Sequence, residues 1–74
     1  MFFKTVDRSA TKNEIKDALL DIASQAGQAL SNARADKLAN KFKKGIFDPE
    51  LMRVIQYSDP TGETAVNNVM RVAA

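Results

Sequence analysis

Two adjacent segments of this chain repeat apolar side chains at helical pitch, and each lies between residues that start and stop helices. The first opens with Thr11-Lys12-Asn13-Glu14, the form of a capping box: the threonine oxygen accepts from a first-turn amide and the glutamate reaches back. Ile15, Ala18, Leu19, Ile22, Ala23 and Ala26 follow on one helical face. Lys12, Lys16, Asp17, Asp21, Ser24 and Gln25 take the other face, which predicts a helix over about 12–26. Gly27 then ends or bends it, since glycine is costly inside a helix and cheap at a left-handed cap. Ser31 or Asn32 offers an N-cap for a second helix over about 32–44, with Ala35, Leu38, Ala39 and Phe42 as its buried face. Lys41, Lys43 and Lys44 in its last turn favour the helix dipole, and Gly45 closes it.

Asp48-Pro49-Glu50 is a third start: a cap, proline at the first helical position and an acid in the first turn. Leu51, Val54 and Ile55 supply its buried face, with Met52 alongside. The cluster Ser58-Asp59-Pro60-Thr61-Gly62 predicts a turn, so this helix should end near Tyr57. The remaining segment, 63–74, reads two ways. Ala65, Val66, Val69, Met70 and Ala73 fit a helix, and β-branched Val66, Val69 and Val72 suit a short strand. The helical reading is adopted. Residues 1–10 form an N-terminal arm, or a short strand over 1–6, that packs Phe2 and Phe3 on the helices. The expected fold is therefore all-α: a small bundle of three to four short helices, with residues 11–74 as one domain behind the arm.

The chain has 74 residues, which accommodates one core. Hydrophobic residues make up 45% of it, about 33 positions, but 11 are alanine, leaving 22 larger apolar side chains. A core this thin gains from a partner, whether a second copy or another protein. With no cysteine and no histidine, disulfides, thiolate metal sites and the commonest general base are excluded. No run approaches the roughly 20 apolar residues of a membrane span, and the first eight residues lack the pattern of a secretory leader. A cytoplasmic, or virion-internal, setting is expected.

Arg34, Lys37, Lys41 and Lys44 recur along one side of the second helix, and Lys43 adds a fifth cation against the single acid Asp36. Such a row can follow phosphates or be an ordinary solvated face with favourable placement on the dipole. The segment Ile22-Ala23-Ser24-Gln25-Ala26-Gly27, leading into Gln28–Arg34, also has a weak helix-turn-helix form. In that reading Ser31, Asn32, Arg34, Lys37, Lys41 and Lys44 face nucleic acid. The form fails downstream, where Asp36 and Lys37 stand at positions that such a helix usually buries.

Residues 46–63 carry Asp48, Glu50, Asp59 and Glu63 against Arg53. These acids either cap helices or pair with the basic helix, within the chain or between copies. Ile46-Phe47 places two large hydrophobes in a connection, which a loop carries when it plugs the core or meets a partner. Asp17 and Asp21 have a spacing that metal sites use, but they sit on a polar face among lysines. Phosphate-loop, dinucleotide-binding and calcium-loop patterns are missing.

The expectation is a non-enzymatic protein-interaction or assembly module with Ile46, Phe47, Met52 and Tyr57 at its interface. It needs no cofactor, metal or small-molecule substrate, and its partner is a protein or a second copy. Small accessory proteins of phage and mobile elements fit that description. The alternative is a small DNA-binding regulator that uses the basic helix 32–44.

Overall fold

The computed structural model describes residues 3–73, the side chain of Phe3 excepted. The element order is β1 (Phe3–Asp7), α1 (Lys12–Gln25), α2 (Asn32–Lys44), α3 (Pro49–Ile55), α4 (Glu63–Asn67) and β2 (Val69–Ala73). The first three helices form where their caps and apolar periods place them. Thr11 accepts from the amide of Glu14, Ser31 from that of Arg34 and Asp48 from that of Leu51. α3 stops at Ile55, two residues before the expected end near Tyr57. Gly45 ends α2 in the left-handed region, at φ 76°, a conformation that costs glycine little because it has no Cβ.

α1 and α2 are separate helices joined by a short connection, and they return on each other as a hairpin. The Lys43 ammonium near the end of α2 donates to the carbonyl of Ala10 just before α1, at 2.8 Å. The Arg8 guanidinium donates back to the Lys43 carbonyl through two nitrogens, at 3.1 and 3.0 Å. The hairpin buries Ile15, Leu19, Ile22, Leu38, Ala39 and Phe42 in a core completed by Leu51, Val54 and Ile55 of α3.

The all-α expectation is overturned at the two ends of the chain. Residues 63–73 are not one helix. α4 lasts five residues, Asn68 turns into the left-handed region at φ 57°, and β2 follows. β2 pairs antiparallel with β1, with Val6 opposite Met70 and Thr5 opposite Arg71. Four helices and a two-stranded sheet make the fold mixed α and β. A strand has no backbone partners of its own, so the choice between helix and strand for Val69–Ala73 falls to β1, which no local pattern places beside it. Val6, Met70 and Val72 are buried in the same core as the helices, so residues 3–7 belong to the body of the domain. Phe2, expected to pack there, lies outside the described residues, as does the side chain of Phe3. Among the described residues no helix is long and apolar enough to cross a membrane.

Candidate interaction surface

The α2 cations divide into those with partners in the chain and those without. Arg34 meets Glu50 of α3 with Nη2 at 2.9 Å and Nε at 3.0 Å. Lys41 pairs with Asp48, the N-cap of α3. Lys43 is held by the carbonyls of Ala10 and Arg8. Lys37 and Lys44 are exposed and make no ion pair among the described residues. Asp48 has its carboxyl held below the usual range, first by the Lys41 ammonium and then by the Leu51 amide. Two acids of the 46–63 segment therefore join α3 to α2 within the chain, and one of them is also a cap.

The residues of the nucleic-acid reading are consequently unlike one another. The Ser31 hydroxyl accepts from the amide of Arg34 at 3.2 Å and serves the helix start. Asn32 is exposed at the first helical position. Arg34 and Lys41 lean toward α3, leaving Lys37 and Lys44 as the outward pair.

The four residues expected at a protein interface also separate. Phe47 packs edge-on against Phe42, with ring centroids 5.9 Å apart and planes at 80°, an aromatic geometry that seals the core below it. Ile46 lies in the connection before α3 and Tyr57 just after it, and each is 50% exposed. Met52, between them in sequence, is half-buried. Gln28 donates to the Tyr57 hydroxyl and holds the ring in place across the chain. Beside this contact a shallow groove runs between the α2 start and α3. Gln28, Leu30, Arg34, Glu50, Arg53 and Val54 line it.

Sequence reasoning missed two features. Val66, on the short α4, is 79% exposed, the most exposed large hydrophobe described. The sequence reading counts it among the apolar residues of a helix or strand over 63–74, which does not single it out as exposed. The other is Asp59, only 3% exposed. One of its carboxylate oxygens accepts from both the amide and the hydroxyl of Thr64, each at 2.6 Å, and the other accepts from the Thr61 hydroxyl at 2.7 Å. The Thr64 hydroxyl is the main reason its carboxyl titrates below the usual range, although burial opposes that shift. The residue order Asp-Pro-Thr-Gly-Glu-Thr signals a turn, but nothing local says that the acid is taken out of water.

No cluster of three or more acidic side chains able to hold a metal ion occurs among the described residues. No protein-family model matches the chain, and no curated protein or solved structure shows significant similarity to it.

Proposed function

We propose that the protein is a non-enzymatic interaction module that binds another protein through the surface around α3. The observation that carries this reading is the half-exposure of Ile46 and Tyr57, which flank the short helix α3 on either side. A large aromatic side chain that is already fixed loses little freedom on binding, which is why such residues dominate interface energies. Here Gln28 fixes Tyr57, and the Arg34–Glu50 and Lys41–Asp48 pairs fix α3 against α2. In this reading Phe47 supports the surface from below, and Met52 lies within it. The pairing of Arg34 and Lys41 also weighs against the alternative, a DNA-binding regulator, because acids of α3 and its cap offset two of the four cations in the row.

The test installs a photo-crosslinking side chain at Ile46, at Tyr57 and, as a control, at Lys16 on α1. A single protein adduct formed from the first two sites and not the third is expected. Ile46→Asp combined with Tyr57→Ala should then weaken binding of that partner at least about tenfold, equivalent to about 1.4 kcal/mol, with the helical circular-dichroism signal unchanged. Equal adducts at all three sites, or undiminished binding by the double variant, would overturn the reading. So would micromolar binding to a mixed-sequence duplex that weakens by orders of magnitude between about 50 and 200 mM salt.

A further inference from the structure

The groove between the start of α2 and α3 holds charges that the chain itself balances only in part. Its cavity volume is about 250 Å³, smaller than the sites of drug-sized ligands and of a size that a few side chains fill. Leu30 and Val54 form its apolar floor: Leu30 is half-buried against the core and Val54 is buried. Arg34, Glu50 and Arg53 supply its charges.

Arg34 directs Nε and Nη2 to the same carboxylate oxygen of Glu50, at 3.0 and 2.9 Å. That pair is neutral as a unit, and it leaves the Nη1 amino group of Arg34 outside the ion pair. Arg53 follows Glu50 by one turn of α3, is exposed, and makes no ion pair among the described residues. The groove therefore carries one uncompensated positive charge beside an apolar floor. Gln28, which also lines it, donates to the Tyr57 hydroxyl, and the phenol proton stays available for another acceptor.

We infer that this groove takes an acidic side chain of the partner protein, with a Glu or Asp carboxylate on Arg53 and the free side of Arg34 and a neighbouring aliphatic side chain on Leu30 and Val54. The inference rests on the α3 reading and gives the partner a chemistry. A guanidinium binds a carboxylate through paired N–H donors, and Arg34, braced by Glu50, loses little freedom in doing so. A single carboxylate balances the charge of the groove. A nucleic-acid duplex suits it less. It presents a charge about every 1.7 Å of its axis, which would bring phosphates against Glu50, and it offers nothing apolar there for Leu30 and Val54.

Selection of random heptapeptides displayed on phage against the full chain tests it. The selected sequences should share an Asp or Glu close to a Leu, Ile or Val. A synthetic peptide of the commonest sequence should shift the amide NMR signals of Gln28, Arg34 and Arg53. Replacing its acid by the corresponding amide, or Arg53→Glu in the protein, should each weaken binding at least about tenfold, and Arg53→Lys should weaken it less. A peptide with lysine in place of the acid should prefer the Arg53→Glu chain. Arg53 is exposed, and circular dichroism checks that each variant is folded. No selected peptide, or binding indifferent to Arg53→Glu, would overturn the inference. An acid-free consensus whose peptide shifts Ile46 and Tyr57 would overturn it and leave the α3 reading standing. Peptides that shift only Lys37 and Lys44 would overturn both. Displacement of the peptide by a micromolar mixed-sequence duplex at about 50 mM salt would overturn it as well, and would assign the groove to nucleic acid.

Discussion

The α1–α2 hairpin and the closure made by β1, α4 and β2 rest on different kinds of contact. In the hairpin each helix start is satisfied from three residues away: Thr11 to Glu14 at 3.2 Å and Ser31 to Arg34 at 3.2 Å. The apolar faces that meet are each periodic within one helix. In the closure Val6 faces Met70, and Gln25 at the end of α1 donates to the Ala73 carbonyl at 2.9 Å. There the polar anchor is a buried carboxylate, Asp59, that gathers Thr61 and Thr64 at the head of α4. Local contacts form with little loss of chain entropy, whereas joining the two ends of the chain costs loop-closure entropy that only the finished core offsets. The hairpin is thus specified nearby, and the sheet packs on the core that the hairpin and α3 share with it.

Cooperativity is where this contrast breaks or holds, and Phe42 tests it most severely. Phe42 is fully buried and underlies Phe47. Phe42→Ala should cost about 3–5 kcal/mol, enough to leave a chain of this size largely unfolded. Phe42→Leu, at about 1 kcal/mol, keeps the transition measurable. Hairpin and sheet amides should then lose exchange protection together in urea, and a sheet that melted separately would mean that the closure stands alone.

Asp59→Ala has the next largest effect, about 2–3 kcal/mol, because it removes charge-assisted hydrogen bonds and strands buried donors on Thr64. Hydrogen exchange should rise first in residues 61–73 and in β1, with α1 and α2 protected. Uniform loss across the molecule would erase the distinction between the two regions.

The smallest effect is expected from acid. Asp7, Asp48 and Asp59 all titrate below the ordinary carboxylate value. The first is held there by the Ser9 hydroxyl, the second by the Lys41 ammonium and the third by the Thr64 hydroxyl. The folded chain therefore binds fewer protons than the unfolded chain near the ordinary carboxylate pKa of about 3.9. The stability these groups contribute is complete above that value and is lost as pH falls through their lower folded values. Urea midpoints should be flat from pH 7 to about 5 and fall below about 4. Asp59→Ala should flatten part of that fall, and an unchanged acid limb would show that Asp59 does not couple protonation to the closure.

Legibility followed the same division. Thr11 and Asp48 were readable as helix starts, and Ser31 as one of two candidates with Asn32, because a cap and its acceptor geometry span only a few residues. Phe42 was readable as core from its spacing. The exposure of Ile46 beside the partial burial of Phe47 was not, because adjacent residues in a connection diverge according to what packs above them. Nor did the row Arg34, Lys37, Lys41 and Lys44 reveal which members were already paired. That depended on α3 folding back to bring Glu50 and Asp48 within reach of α2.

What the sequence determined by itself is the position of three helices, the glycine that ends α2 and the buried face of each. Caps, helical period and backbone conformation are properties of a few neighbouring residues. What only the tertiary structure decided is that Val69–Ala73 is a strand, that Asp59 is buried and that two α2 cations are spent on α3. Each of these depends on a partner distant in sequence or on a connection folding back. A backbone amide, a carboxylate or an ammonium takes its final state from whichever group reaches it after the core has closed.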